Sequence, residues 1–303
     1  MTGSAGGPAG GSAARPAAGW PFHPGERAAQ AQVGAAPAGG GIRAAMPEQH
    51  RAFYAQLPWL LVGAVTPDGP VATVWTGAPG FVTSPAPTRL HVATALAPDD
   101  PATPALAVGA PCGLLGLEPS TRRRNRANGH VAGLGPAGIE VEVAQSFGNC
   151  PKYIHPRALA PAAIAPRPAP ERATGLDAEA AAAIAAADTF FVASAAHLDA
   201  PTGGVDVAHR AGPPGFVRVD GDTLAIPDYA GNRYFNTLGN LLVAPRAGLL
   251  FLDLARGDAL HLQGAAAIDW AGGDGAERWW YVRVDRMIRR RGALALRAAP
   301  AAG

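Results

Sequence analysis

Gly77-Ala78-Pro79-Gly80-Phe81-Val82 is answered later in the chain by Gly212-Pro213-Pro214-Gly215-Phe216-Val217, an offset of 215 − 80 = 135 residues. The same offset aligns Gly113-Leu114-Leu115-Gly116-Leu117-Glu118 with Gly248-Leu249-Leu250-Phe251-Leu252-Asp253, and Gly129 with Gly264. One glycine-rich phrase recurs by chance easily; an offset kept over about fifty residues points to an internal duplication.

The entry into each copy reads alike. Pro47-Glu48-Gln49-His50-Arg51-Ala52-Phe53-Tyr54 predicts a short helix, with Pro near its start and an acid in its first turn. A strand from Trp59 to Val65 follows, and Thr66-Pro67-Asp68-Gly69-Pro70 turns it into a second run, Val71 to Trp75. In the second copy Leu176 to Ala187 is Ala-rich and helix-favouring, with Thr174 or Asp177 as N-cap, and leads into Asp188-Thr189-Phe190-Phe191-Val192-Ala193-Ser194. Further short apolar runs are punctuated by turn signals such as Asp220-Gly221, without long intervening helices. The expected fold is mainly β with short helices: two tandem split β-barrels. Expected boundaries are a disordered Ala/Gly/Pro-rich tail over 1–40, a first barrel over 41–157, a Pro-rich linker over 158–175 and a second barrel over 176–295.

The 303 residues carry 48% hydrophobic side chains, enough for two cores. Twenty-five basic residues against 23 acidic give a formal charge of +2, too balanced for a surface devoted to nucleic acid or anionic lipid. The sequence shows neither a membrane-spanning apolar run nor a secretory leader, so a cytoplasmic location is expected. Cys112 and Cys150 form no CxxC pair and have no histidine cluster at metal-ligand spacing; both are read as buried, reduced thiols, and no metal is expected.

Gly133-Leu134-Gly135-Pro136-Ala137-Gly138 matches GxGxxG, but the following Ile139-Glu140-Val141-Glu142-Val143 alternates like a strand where a dinucleotide fold needs a helix, so a hairpin loop is the better reading. The polar stretch Asp228-Tyr229-Ala230-Gly231-Asn232-Arg233-Tyr234-Phe235-Asn236-Thr237-Leu238-Gly239-Asn240 has amides, a hydroxyl, an arginine and two glycines, the donors a phosphate requires; ordinary loop composition is the competing reading. Thr121-Arg122-Arg123-Arg124-Asn125-Arg126 is either a solvated face or a set of cations turned to a ligand. The histidines lack triad partners and Ser146 lacks a base, which disfavours nucleophilic catalysis.

His209-Arg210, Pro214-Gly215-Phe216-Val217, the Asp228 to Asn240 stretch, Ala244-Pro245-Arg246-Ala247-Gly248-Leu249-Leu250-Phe251 and Gly264 resemble the pyridoxamine 5′-phosphate oxidase-like family of FMN-binding split barrels. Thr121 to Gly129, Gln145-Ser146-Phe147-Gly148-Asn149-Cys150-Pro151-Lys152-Tyr153 and Phe22-His23-Pro24-Gly25-Glu26-Arg27 resemble a tandem-barrel subgroup of it. The resemblance covers roughly residues 20 to 295. It implies an FMN site built from Arg210, Phe216, Val217, Asp228, Asn232, Arg233, Asn236, Thr237 and Asn240 of the second half. The first half would add Arg122, Arg124, Arg126, Gln145, Ser146, Asn149 and Lys152. The chain departs from the true vitamin B6 oxidase, having Gly-Asn-Arg and Asn-Thr-Leu-Gly-Asn where that enzyme has Arg-x-x-Leu-Leu-Lys and Ser-x-Lys-Gly type elements.

The resemblance further implies an FMN-dependent oxidoreductase of unidentified substrate, an intramolecular pseudo-dimer with one site per chain, a possible homodimer, and a small-molecule substrate or separate electron donor as partner. The rival expectations are a non-catalytic module for flavin, deazaflavin or haem, and a barrel that serves only in assembly. At the offset of 135, Asn236 corresponds to Pro101, whose neighbours Asp99 and Asp100 would repel a phosphate, so the first half is expected to hold none.

Overall fold

The computed structural model describes residues 21–163, 167–199 and 203–299. The first sheet comprises β1 (Trp59–Thr66), β2 (Gly69–Thr76), β3 (Val82–Ala86), β4 (Arg89–Val92), β5 (Pro111–Glu118), β6 (Arg123–Gly135) and β7 (Gly138–Gly148). The segment between the sheets carries β8 (Leu159–Pro161) and β9 (Glu171–Ala173). The second sheet comprises β10 (Thr189–Ala196), β11 (Gly204–Ala211), β12 (Arg218–Asp220), β13 (Thr223–Asp228), β14 (Arg246–Asp253), β15 (Asp258–Asp269) and β16 (Arg278–Arg290); β17 (Leu296–Ala298) follows. Helices α1 (Pro24–Gln32), α2 (Glu48–Ala55), α3 (Ala178–Ala186) and α4 (Asn236–Val243) and a 3-10 turn at Thr103–Ala105 complete the described fold.

Both sheets run in one order: β2-β1-β5-β6-β7-β4-β3 in the first, β11-β10-β14-β15-β16-β13-β12 in the second. Register agrees as well, with Leu115 opposite Arg126 in one and Leu250 opposite His261 in the other. Neither ladder closes, since its end strands do not pair with each other; these are split barrels. Gly133 to Gly138 is the hairpin between β6 and β7, with Gly135 paired to Gly138.

Period-two alternation assigns each strand two buried faces. On β1, Leu60, Val62 and Ala64 enter the core of their own sheet, while Trp59 and Leu61 join a separate cluster between the halves. On β10, Phe190 and Val192 likewise face inward, and Phe191 and Ala193 meet Trp59 and Leu61. Strands buried on both sides read as unbroken apolar runs, which is how these two appear in the sequence. The halves touch through glycines at matched positions. A Cβ on Gly113 would lie 2.5 Å from the carbonyl oxygen of Val205, and one on Gly248 would lie 2.3 Å from that of Pro70. Any side chain at either position would force the sheets apart.

Two expectations are corrected. Residues 1–20 of the expected tail lie outside the described residues, but the remainder contains α1. His23 caps this helix by accepting from Gly25 N at 3.1 Å, and Glu26 returns to His23 N at 2.9 Å. Tertiary packing then fixes it: a Cβ on Gly25 would be 2.3 Å from the Gly239 carbonyl oxygen of α4, and one on Gly239 would be 2.5 Å from the Glu26 Cα. Small residues looked like too little to order a chain; here they permit a helix contact no larger residue allows. The linker is also more structured than its prolines suggest, because β8 pairs with β17 and β9 with β16.

Candidate functional site

A cleft runs between the halves at the N-terminal end of α4, walled by β11, β13 and the Tyr229 to Phe235 loop on one side and by β6 and the Asn149 to Tyr153 segment on the other. Its enclosed space, about 120 Å³, admits a phosphate group but falls short of the ~300 Å³ at which pockets begin to enclose small ligands. Arg124, Arg126, Lys152, Arg210, Arg233 and Arg278 line it against only Asp228 and Glu277. Such an excess of one sign in a low-dielectric recess attracts an anion.

The local backbone explains how the chain builds the phosphate-sized end. Arg233 and Phe235 both adopt the left-handed region, at φ 58° and 60°, a cost of order 1 kcal/mol or more for non-glycine residues. These two turns start α4 abruptly. Phe235 is its N-cap and offers no side-chain cap, so the first backbone N–H groups of the helix face the cleft without one. Asn236 and Thr237 are buried there.

The arginines are held but not exhausted. Arg210 donates to Asp228 at 2.6 Å, and Arg278, buried and stacked on Phe235, approaches the other Asp228 oxygen at 3.1 Å. Arg126 donates to Asn236 Oδ1 at 3.0 Å, and Arg124 to His209 Nδ1 at 2.9 Å. The Nε–H groups of Arg124, Arg126 and Arg210, and Nδ2 of Asn149, are buried without a partner. Burial, with Arg126 and Arg210 nearby, pushes Arg124 down to about 10. It stays charged at neutral pH, yet lacks a counter-charge. Among the described residues, Arg233 and Lys152 form no hydrogen bond or ion pair at all.

Behind α4 lies a buried polar network. Asn236 donates to Glu26, Asn240 donates to Asp206 and to Ser194 at 3.0 Å each, and Asn128 donates to Asp206 at 2.7 Å. Burial, then the Asp206 carboxylate, raises Glu26 to about 8, so it holds its proton at neutral pH.

Of the residues expected from sequence, Arg210, Phe216, Asp228, Asn232, Arg233, Asn236, Thr237, Arg124, Arg126, Asn149 and Lys152 line the cleft. Five do not. Val217 points into the core of the second sheet, and Asn240 belongs to the network behind the helix. Arg122 sits exposed in the β5–β6 turn at φ 55°. Gln145 donates to the Pro21 carbonyl at 3.0 Å, and Ser146 pairs with His50 at 2.8 Å. The arginine run is thus divided, Arg122 and Arg123 exposed, Arg124 and Arg126 turned to the cleft. Cys112 is buried, whereas Cys150 is half-buried at the cleft wall, contrary to expectation.

Sequence reading missed Glu26, His209, Arg278 and the stacked pair of Tyr153 and Tyr229, whose rings lie 5.4 Å apart at the cleft mouth. Only the three polar residues of Asp206-Val207-Ala208-His209-Arg210, in an otherwise apolar strand, hinted that it faces something other than core.

The donor set fits a phosphate monoester: unpartnered buried N–H groups, two free cations and an uncapped helix start converge on one space. Asn232, Arg233, Asn236 and Thr237 are placed to hold that phosphate.

No curated protein matches the chain. Solved structures similar to it include HupZ of Group A Streptococcus, at 15% identity over 37% of this chain and 91% of that one, with a TM-score of 0.30. A histidine-to-alanine variant of HupZ matches at 13% identity over 37% and 98%, also at 0.30. The inhibitor of motility MotI/DgrA of Bacillus subtilis matches at 7% identity over 77% of this chain and 87% of that one, at 0.20. A sequence profile described as pyridoxamine 5′-phosphate oxidase matches residues 176–300, the segment that contains α4 and most of the cleft. The second half of the chain is thus similar to the pyridoxamine 5′-phosphate oxidase family.

Proposed function

We propose that the cleft binds FMN by its phosphate and that the protein is an FMN-dependent oxidoreductase with one such site per chain. The observation that carries this reading is the convergence of unpartnered buried arginine N–H groups on the uncapped start of α4. Arg233, Asn236 and Thr237 take the phosphate, with the helix start adding backbone donors. Arg124 and Arg126 reach in from the first half and favour negative charge at the far side of the cleft. Tyr153 and Tyr229 give the mouth an aromatic face on which the rest of the ligand can lie. Bound there, flavin supplies hydride or single-electron exchange, while the chain binds, orients and excludes water.

The visible absorption spectrum of the purified protein, titrated with FMN, tests this. Flavin bands saturating at one per chain, followed by bleaching with a reduced nicotinamide, are expected. Saturable flavin without any turnover leaves a flavin carrier. A Soret band, binding of deazaflavin alone, or no binding overturns the FMN assignment.

A further inference from the structure

A larger cavity of about 640 Å³ lies against the cleft, and His209 lines both. Its walls come from the apolar seam between the halves, with Trp59, Leu117, Phe191 and Leu252, and from the core of the second sheet, with Phe251 and Leu260. The Trp59 indole N–H is engaged, donating to the Leu117 carbonyl at 2.6 Å, so the ring presents hydrocarbon.

The charged groups at the rim are already matched. Arg157 pairs with Asp188 at 2.5 Å, and Arg289 with Glu171 and Asp177 at 2.6 Å each. Asp253 accepts from Ala255 N and Arg256 N at 2.9 Å, and Asp258 from Gly292 N at 2.7 Å. His155 Nε2 donates to the Gly212 carbonyl at 3.1 Å. A charged ligand would lose its hydration here and meet no unpaired counter-charge.

His209 is the exception. A guanidinium can only donate, so the Arg124 contact makes His209 Nδ1 an acceptor and places the ring proton on Nε2. That N–H makes no hydrogen bond among the described residues, and the ring, only 7% exposed, rests 5.8 Å from the Phe191 ring of the cavity wall. Burial, then Arg124, His155, Arg210 and Arg157, hold the imidazole well below its ordinary pKa, so it stays neutral and keeps this tautomer near pH 7.

We propose that this cavity is a second ligand site, for a neutral, largely apolar molecule with one carbonyl oxygen that accepts a hydrogen bond from His209 Nε2. The binding claim stands without flavin. Because His209 also lines the cleft, the carbonyl end would sit beside the proposed cofactor, and the further role of substrate pocket rests on the proposed function.

Three probes of similar size and different polar ends test the claim on the full chain by calorimetry: 2-acetylnaphthalene, 2-ethylnaphthalene and 2-naphthoate. 2-Acetylnaphthalene is expected to bind about 5-fold more tightly than 2-ethylnaphthalene, as one neutral hydrogen bond gives, and 2-naphthoate to bind weakest. Ala186→Trp, from the exposed face of α3 into the cavity, should abolish probe binding while FMN titration stays unchanged. His209→Phe should erase the preference for the ketone but keep the hydrocarbon affinity. Equal affinity for ketone and hydrocarbon, tightest binding of the carboxylate, or probe binding untouched by Ala186→Trp would each overturn the proposal. Probe binding in a chain that takes no FMN overturns the proposed function alone.

Discussion

Arg126 on β6 reaches Asn236 at 3.0 Å across the cleft; its counterpart on β15 is His261, which donates through Nδ1 to the Ala72 carbonyl at 2.9 Å. Arg124 corresponds to Ala259, Arg210 to Trp75 and Asn236 to Pro101. Where α4 begins in the second half, the first has one 3-10 turn, Thr103–Ala105, preceded by Asp99 and Asp100. Those carboxylates do not merely repel an anion. Asp100 accepts from Thr73 at 2.6 Å and from Arg290 at 3.0 Å, and Asp99 pairs with Arg290 and Arg167. One frame thus carries an anion cleft with donors to spare and, at the matching place, a closed ion-pair cluster. The fold provides two equivalent places, and side chains make only one of them a donor-rich cleft.

The strongest way to break this comparison is Arg290→Met. Arg290 and Asp100 are each 4% exposed, and removing one partner of a buried pair costs about 3–5 kcal/mol. Urea unfolding should show that loss, while FMN still saturates at one per chain, because Pro101 and the missing helix remain. A second flavin per chain would show that the ion cluster alone closes the first-half site; a loss under about 1 kcal/mol would show that it is not what holds that region.

Arg233→Ala sharpens the other side. Arg233 is exposed and has no partner among the described residues, so stability should stay within about 0.5 kcal/mol. The charged hydrogen bonds proposed here between Arg233 and the FMN phosphate would be worth about 1.5–3 kcal/mol, so on that proposal FMN affinity should fall roughly 10- to 100-fold. An unchanged dissociation constant in the folded variant removes the phosphate from this loop.

Glu26 gives the open site a pH signature of its own. Its folded pKa, about 8, stands above the ~4.3 of an unfolded glutamate. The folded state therefore keeps a proton that the unfolded chain releases between those values. This group's contribution is greatest below about pH 4.3, declines by up to ~1.4 kcal/mol per pH unit as pH rises, and levels off above about 8. His261, lowered to about 4 chiefly by burial, acts oppositely, losing stability as pH falls below about 6.5. In Glu26→Gln the decline between pH 5 and 8 should flatten and the acid limb persist. Parallel curves for both proteins would mean that Glu26 ionises normally in the fold.

The sequence made the repeated strands legible because burial on both faces leaves unbroken apolar runs, as in Trp59 to Ala64 and Phe190 to Ala193. The polar loop from Asp228 to Thr237 was legible for the opposite reason, standing out against that background. What could not be read was tertiary. Glu26 lies 210 residues from Asn236, and nothing local to Pro24–Gln32 announces that Gly25 and Gly239 let two helices touch. Ser146 and Gln145 looked like ligand donors, but they serve His50 and Pro21, partners about a hundred residues distant. Composition reports which donors exist; only the fold assigns what each one holds.

The smallest expected effect concerns the chain between the halves. Arg167 donates to Asp99 through Nε and Nη2 at 3.2 and 2.8 Å, and its side chain is 24% exposed. Burial raises the Asp99 pKa, but hydrogen bonds from Arg290 and Arg167 outweigh it and leave the carboxyl below its usual range. Arg290 already neutralises this carboxylate from within, so Arg167→Ala should cost only about 0.2–1 kcal/mol, as partly exposed pairs do. The cost should shrink further at 1 M salt, where screening acts within about 3 Å. FMN affinity should not move. A loss equal to that of Arg290→Met would mean that the connecting segment, rather than β16, locks the closed site, and that the two halves differ because of what joins them.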